Sequence, residues 1–156
     1  MSVLANEIAG KHGYTYSDGG RLAAGRKGSA GDCAVRALSI VTGHDYAEVY
    51  KTVAELCRAE KPSKTRRGLS SPRTGIHAVT FHKLAEHYGL GWVGVMKIGR
   101  GVTVHVDPDE LPAAGRMVLR LSRHYSAYID GVVHDDHDPR RGGTRAVYGY
   151  WMASAS

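Results

Sequence analysis

The chain of 156 residues carries only two cysteines, Cys33 and Cys57, and a single phenylalanine, Phe81. Two cysteines allow one disulfide at most, which is too few for a disulfide-stapled scaffold. There is no Cys-x-x-Cys pair and no His-Glu-x-x-His, so the commonest zinc signatures are missing. No apolar run approaches the roughly 20 residues that a membrane-crossing helix needs. The segment Met1 to Gly10 lacks both a basic leader and a long apolar stretch, which gives the expectation of a cytoplasmic protein with no membrane attachment. What is present is ordinary for a globular protein, with 42% hydrophobic and 23% charged residues. The length suits one domain with a real core. A net charge of +6 suggests attraction to an anionic partner through basic loops.

Along the chain the pattern divides. Residues 1–30 are rich in Gly, Ser, Lys and Arg and read as an irregular arm, with one short strand near Tyr14 to Tyr16. Asp32 to Thr42 has apolar residues at helical spacing (Ala34, Val35, Leu38, Val41) and a stop at Gly43. A second helix is expected from Asp45, with Glu48 as its capping-box partner and Val49, Val53, Leu56 and Cys57 as its buried stripe. Lys61 to Thr74 is a basic, Pro-containing loop and a candidate lid. A third helix spans roughly His77 to Tyr88. From Trp92 onward the runs turn β-like: Trp92 to Ile98, Val102 to Val106 and Met117 to Leu121, then the hairpin Tyr125 to Ile129 and Val132 to Asp135 around Asp130-Gly131, then Ala146 to Trp151. Helices followed by strands predict a single α+β domain, N-terminal helices packed on a C-terminal antiparallel sheet.

Chemistry concentrates at two places. Gly31-Asp32-Cys33 stands at the start of a helix, where unpaired backbone N–H groups and the helix dipole favour a thiolate and can bind an oxyanion. His124 opens the first strand of the hairpin. With a two-residue Asp130-Gly131 turn, Ser126 faces Asp135 and His124 faces His137, so these four side chains share one face. That makes Cys33 a candidate nucleophile, His124 its acid–base partner, and Asp135 the orienting carboxylate. Asp138 is the alternative, reachable through a bulge.

The order Gly31-Asp32-Cys33, His124, Asp135 resembles the papain-like cysteine peptidase superfamily. Asp32-Cys33-Ala34-Val35-Arg36-Ala37-Leu38, Thr42-Gly43 with Tyr46, Val133-His134-Asp135 and Val147-Tyr148-Gly149-Tyr150-Trp151 are similar to a group of uncharacterised bacterial and phage proteins. The resemblance implies a papain-like fold and a Cys-His-Asp triad acting on a peptide or protein substrate without a cofactor. It implies no particular substrate. A peptidase or isopeptidase is the first expectation, and a transglutaminase-type acyltransferase uses the same opening step. The superfamily's usual Gln before the cysteine is missing, which leaves Lys27, Ser29 and Asp32 as candidates for the oxyanion and substrate side.

Two other readings compete. His134-Asp135-Asp136-His137-Asp138, with His124 and His105, is dense in metal-ligand types, although alternate strand residues point apart and no metal site is expected. Arg66, Arg67, Arg73, Arg140, Arg141 and Arg145, with Tyr148, Tyr150 and Trp151 as stacking faces, fit a nucleic-acid-binding or host-protein-binding module on an inactive papain-like scaffold.

Overall fold

The computed structural model describes residues 13–26, 31–62, 68–97 and 99–154. Among them are three helices, α1 (Cys33–Thr42), α2 (Tyr46–Arg58) and α3 (Ala78–His87), and six strands. The strands are β1 (Tyr14–Tyr16), β2 (Leu90–Gly94), β3 (Arg116–Leu121), β4 (His124–Ile129), β5 (Val132–Asp135) and β6 (Gly149–Ala153). They form one sheet in the order β1-β5-β4-β3-β6-β2. The fold is α+β.

Local chemistry accounts for most of these elements. Helix α1 stops where Gly43 enters the left-handed region (φ 77°) and returns its N–H to the Ser39 carbonyl. Helix α2 buries Val49, Val53 and Cys57, each four residues from the last. Asp45 precedes it in an extended conformation but makes no side-chain cap, so the expected capping box with Glu48 does not form. The β4–β5 hairpin turns through Asp130 (φ 48°) and Gly131 (φ 83°), the paired positive angles that a two-residue turn of matching twist requires. Its register pairs Ile129 with Val132 and Ala127 with His134.

Alternation along the strands splits the core in two. Val118, Tyr125, Ala127 and Trp151 face the helices and pack with Val35, Leu38, Val49, Val53, Phe81 and Leu84. Met117, Leu119, Tyr128 and Val133 face the other way, under Val106, Leu111 and Val147. Tyr150 and Trp151 are buried in these two cores, so neither offers the stacking face considered above.

The structure departs from the expected architecture in several places. The sheet is mixed, not antiparallel, because β1 runs parallel to β5 (Tyr14 opposite Val133, Tyr16 opposite Asp135). A three-residue strand far upstream can add to an edge by backbone bonds alone, and its side-chain pattern does not disclose direction. Val102 to Val106 forms no strand; it is held by one isolated bridge, His105 with Ala146. The first β-run after α3 is Leu90–Gly94, and the last strand runs to Ala153. Of the arm at residues 1–30, residues 13–26 comprise β1 and a series of turns, and residues 1–12 and 27–30 lie outside the described residues.

Strands β2 and β6 meet through a close fit at Gly149. A Cβ there would stand 2.3 Å from the Trp92 ring and 2.7 Å from the Val93 carbonyl oxygen. The Trp92 ring in turn lies 4.6 Å from that of Trp151. Gly149→Ala should therefore push Trp92 off its neighbour and loosen β2, lowering stability by roughly 1–3 kcal/mol in urea unfolding. An unchanged midpoint would show that the β2 edge yields freely.

Candidate active site

The site lies where the start of α1 meets the end of the β4–β5 ribbon. Cys33 is the first residue of α1, and Asp32 before it makes no side-chain cap. The first-turn N–H groups of α1 are therefore not taken by an N-cap side chain. The Cys33 thiol is partly accessible, whereas Cys57 is buried. Burial, with the nearby Glu60 carboxylate, pushes the Cys57 thiol up to about 11. Of the two thiols, only Cys33 lines a cavity.

His124 opens β4 and shares that cavity, about 500 Å³ in volume, with Cys33. Its Nε2 lies 2.7 Å from a carboxylate oxygen of Asp135, the last residue of β5. That bond leaves Nδ1 as the ring nitrogen free to interact with the thiol. Burial draws the His124 pKa down, but the bond to Asp135, then the hydrogen bond and charge of Cys33, outweigh it and raise it to about 9. The imidazole is therefore a cation at neutral pH.

Asp135 is buried and heavily solicited. One of its oxygens accepts from His124 and from the Ser126 hydroxyl (2.6 Å). The other accepts from Arg36 (3.1 Å) and from the Asp136 backbone N–H (2.8 Å). Burial alone would raise its pKa, yet the bond and charge of His124, then Ser126 and Arg36, hold it well below the usual carboxylate range.

Arg36 joins the two halves. It sits one turn into α1, where its guanidinium meets Asp32 at 2.9 Å, Asp135 at 3.1 Å and Asp136 at 2.7 Å. The helix that carries Cys33 is thereby tied to the strand end that orients His124. Sequence reasoning noted Arg36 only as part of a motif. The available signal was a charge four residues after Asp32 on a helix otherwise rich in Ala, Val and Leu. Gly19 lets the preceding segment lie against α1, since a Cβ there would come within 2.9 Å of the Arg36 carbonyl oxygen.

The remaining candidates fall elsewhere. Asp32, expected on the oxyanion and substrate side, turns away from the cavity: its buried carboxylate accepts from Tyr46 (2.6 Å) and pairs with Arg21 (3.0 Å) and Arg36. Its role is to anchor α1. Lys27 and Ser29 lie outside the described residues. Asp138 bonds Arg140 at 2.7 Å and does not reach His124. The basic loop supplies cavity wall through Leu69 and Thr74, and Gly31 permits the Thr74 carbonyl to sit 3.0 Å from where a Cβ would be. Arg66 and Arg67 lie outside the described residues.

For a metal, the ligand atoms of His124, Asp135 and His137 lie within 4.8 Å of one another. Both Asp135 oxygens are already engaged, and the Arg36 guanidinium at 3.1 Å would repel a cation. His137 instead bonds Asp136 at 2.6 Å, and His105 bonds Glu110 at 3.1 Å. The donor set fits a hydrogen-bonded cluster better than a coordination sphere.

Replacing Arg36 by Met would leave Asp32 and Asp135 as buried carboxylates without their shared cation. A loss of about 3–5 kcal/mol in chemical denaturation is expected. A loss below about 1 kcal/mol would mean that the cluster contributes little to holding α1 on the sheet.

Comparison of the chain with family models, with curated proteins and with solved structures finds no match, so the site stands on its own geometry.

Proposed function

We propose that the chain is a thiol hydrolase of papain-like arrangement, acting on a peptide or isopeptide bond through an acyl-enzyme thioester. Cys33 is the nucleophile, His124 the acid–base group and Asp135 the orienting carboxylate. The observation that carries this reading is the His124 imidazole, bonded through Nε2 to Asp135 and lining one cavity with Cys33.

An imidazolium beside a thiol favours the thiolate, which is the reactive form. The Cys33 sulfur attacks the substrate carbonyl carbon, and an S–C bond forms. The negative charge on the oxygen meets backbone N–H groups at the start of α1. The C–N bond then breaks as the His124 Nδ1–H passes its proton to the departing amine. Neutral His124 next takes a proton from water, whose oxygen attacks the thioester. The S–C bond breaks, the carboxylic acid leaves, and the thiolate–imidazolium pair returns. Asp135 keeps the ring oriented and stabilises its cationic form in both halves. Replacing water by an amine in the second half gives the transglutaminase-type outcome with the same residues.

Iodoacetamide at pH 7 should alkylate Cys33 at least about a hundredfold faster than Cys57, because the buried thiol is almost wholly protonated. Peptide hydrolysis should vanish in Cys33→Ala and fall about 100- to 10,000-fold in His124→Ala. Equal labelling of the two cysteines would overturn the assignment. Activity that survived Cys33→Ala but not a chelator would transfer the chemistry to a metal on His124, Asp135 and His137.

The raised His124 pKa also makes a stability prediction. An unfolded histidine titrates near 6.5, and the folded one near 9. The stabilisation from its protonated form is complete below about pH 6.5 and disappears as the pH climbs through about 9. Urea unfolding from pH 6 to 10 should show a decline on the order of 3 kcal/mol that His124→Gln removes. The same slope in both proteins would place the histidine proton elsewhere.

A further inference from the structure

The cavity beside Cys33 has a one-sided charge. Arg120, Arg123 and His124 line it, together with His77, Tyr125 and Tyr148, and among the described residues no aspartate or glutamate does. Its volume of about 500 Å³ suits part of a peptide rather than a single ion.

Among the described residues, neither Arg120 nor Arg123 pairs with a carboxylate, and the contact Arg120 makes is with the Tyr148 ring, 5.7 Å from its centroid. The Arg120 charge is felt around it, contributing to a lowered pKa at His82 after burial. Arg123 holds a left-handed backbone (φ 56°) in the two-residue turn between β3 and β4, a conformation that disfavours a side chain. A glycine would relieve that cost, yet the position carries an arginine that lines the cavity, one residue before His124. The turn is braced from below by Arg145, whose guanidinium donates to the Ser122 carbonyl at 2.8 Å. A third positive charge therefore stands behind the same wall. Asp135 and Asp136 face Arg36, Asp135 also bonds His124, and among the described residues no carboxylate pairs with Arg120 or Arg123.

We propose that this cavity selects a substrate bearing a carboxylate close to the bond that Cys33 attacks, held by Arg120 and Arg123 against the Tyr148 ring. The proposal rests on the thiol-hydrolase reading and names its substrate class: acidic peptides. The carboxylate comes either from an Asp or Glu side chain or from a peptide C-terminus, and both present the same planar anion to a guanidinium.

Two alkylating agents of equal reach but different charge test it. Iodoacetate and iodoacetamide both lose iodide as the Cys33 sulfur forms its S–C bond, and only iodoacetate carries a carboxylate. The ratio of their rates at Cys33, divided by the same ratio for a cysteine in an unstructured peptide, should be about tenfold at low salt. It should fall as salt is raised. Part of it comes from the His124 cation, so the decisive comparison is with Arg120→Gln and Arg123→Gln, each expected to lower the ratio several-fold. The exposed Arg123 variant guards against a folding defect at half-buried Arg120. In parallel, amide shifts of Ser122, Arg123 and Tyr148 are followed on adding N-acetylglutamine, N-acetylglutamate amide or N-acetylglutamine amide. Shifts with the first alone assign a terminal carboxylate, and shifts with the second assign an acidic side chain. Equal shifts with the uncharged third compound overturn the proposal. So does a reactive Cys33 whose charge preference is unchanged in both arginine variants. A Cys33 inert to both reagents overturns the thiol reading itself, which is a different failure.

Discussion

The Asp135 carboxylate is the constraint on which the rest of the site depends. It is a buried charge, and a buried charge persists only where donors replace the water it has lost. Here four donors do so, from His124, Ser126, Arg36 and the Asp136 backbone. Each of them is thereby fixed in place. His124 loses its rotational freedom and exposes one nitrogen toward Cys33, and α1 is held against the ribbon by Arg36. The carboxylate and its two cations form a unit in which removing any member strands the others. This explains why an apolar helix tolerates an arginine at its centre, and why the preceding segment crosses α1 closely at Gly19 instead of leaving the helix free to shift.

Net charge in this unit follows from counting partners. Arg36 meets three carboxylates, Asp32, Asp135 and Asp136, and Asp32 is further served by Arg21 and Tyr46. The surplus of negative charge on the inner side favours a protonated His124, which lies between that surplus and the cavity. The raised His124 pKa comes from Asp135 and Cys33, and the buried network acts on it by keeping Asp135 ionised and in place. On the cavity side the balance reverses, because among the described residues Arg120 and Arg123 have no acid partner. The site separates charge across one imidazole, negative behind and positive in front. Under the proposed function, that polarity would serve to draw in an anionic substrate.

Much of this was legible in the sequence, and the reasons are physical. The Asp130-Gly131 turn dictates a two-residue loop, and strand parity then places His124, Ser126 and Asp135 on one face without any knowledge of the rest of the fold. The three helices were visible because each has a regular apolar stripe, and α1 and α3 are followed by Gly43 and Gly89. The failures have a common cause in long-range contact. Nothing local to Tyr14–Tyr16 states that it will lie parallel to β5, and Val102 to Val106 has strand-forming residues but pairs only through the single bridge of His105 with Ala146. Asp32 read as a substrate-side residue because of its place beside Cys33, whereas its carboxylate points to Tyr46 and Arg21, separated from it by 14 and 11 positions. Arg120, Arg123 and Tyr148 were invisible as a group because two strands and a turn had to be assembled before they faced one space.

The arrangement also bears on why Asp135, rather than Asp138, is bonded to His124. An ideal ladder extended past the Ala127–His134 pair sets position 124 opposite 137, and the rings of His124 and His137 are 5.0 Å apart. Asp135 is then diagonal to His124 on the same face, within reach of a short side chain. Asp138 would need a bulge to reverse its parity, and a bulge would pull Asp136 away from Arg36. The chain instead lets Asp138 pair with Arg140 two residues on, a local contact that leaves the ladder undisturbed. The long-range bond from Arg36 to Asp136 thus does more than neutralise charge. It ties the end of β5 to α1 beside Asp135, the carboxylate that bonds His124 through Nε2 and leaves Nδ1 unused by that bond.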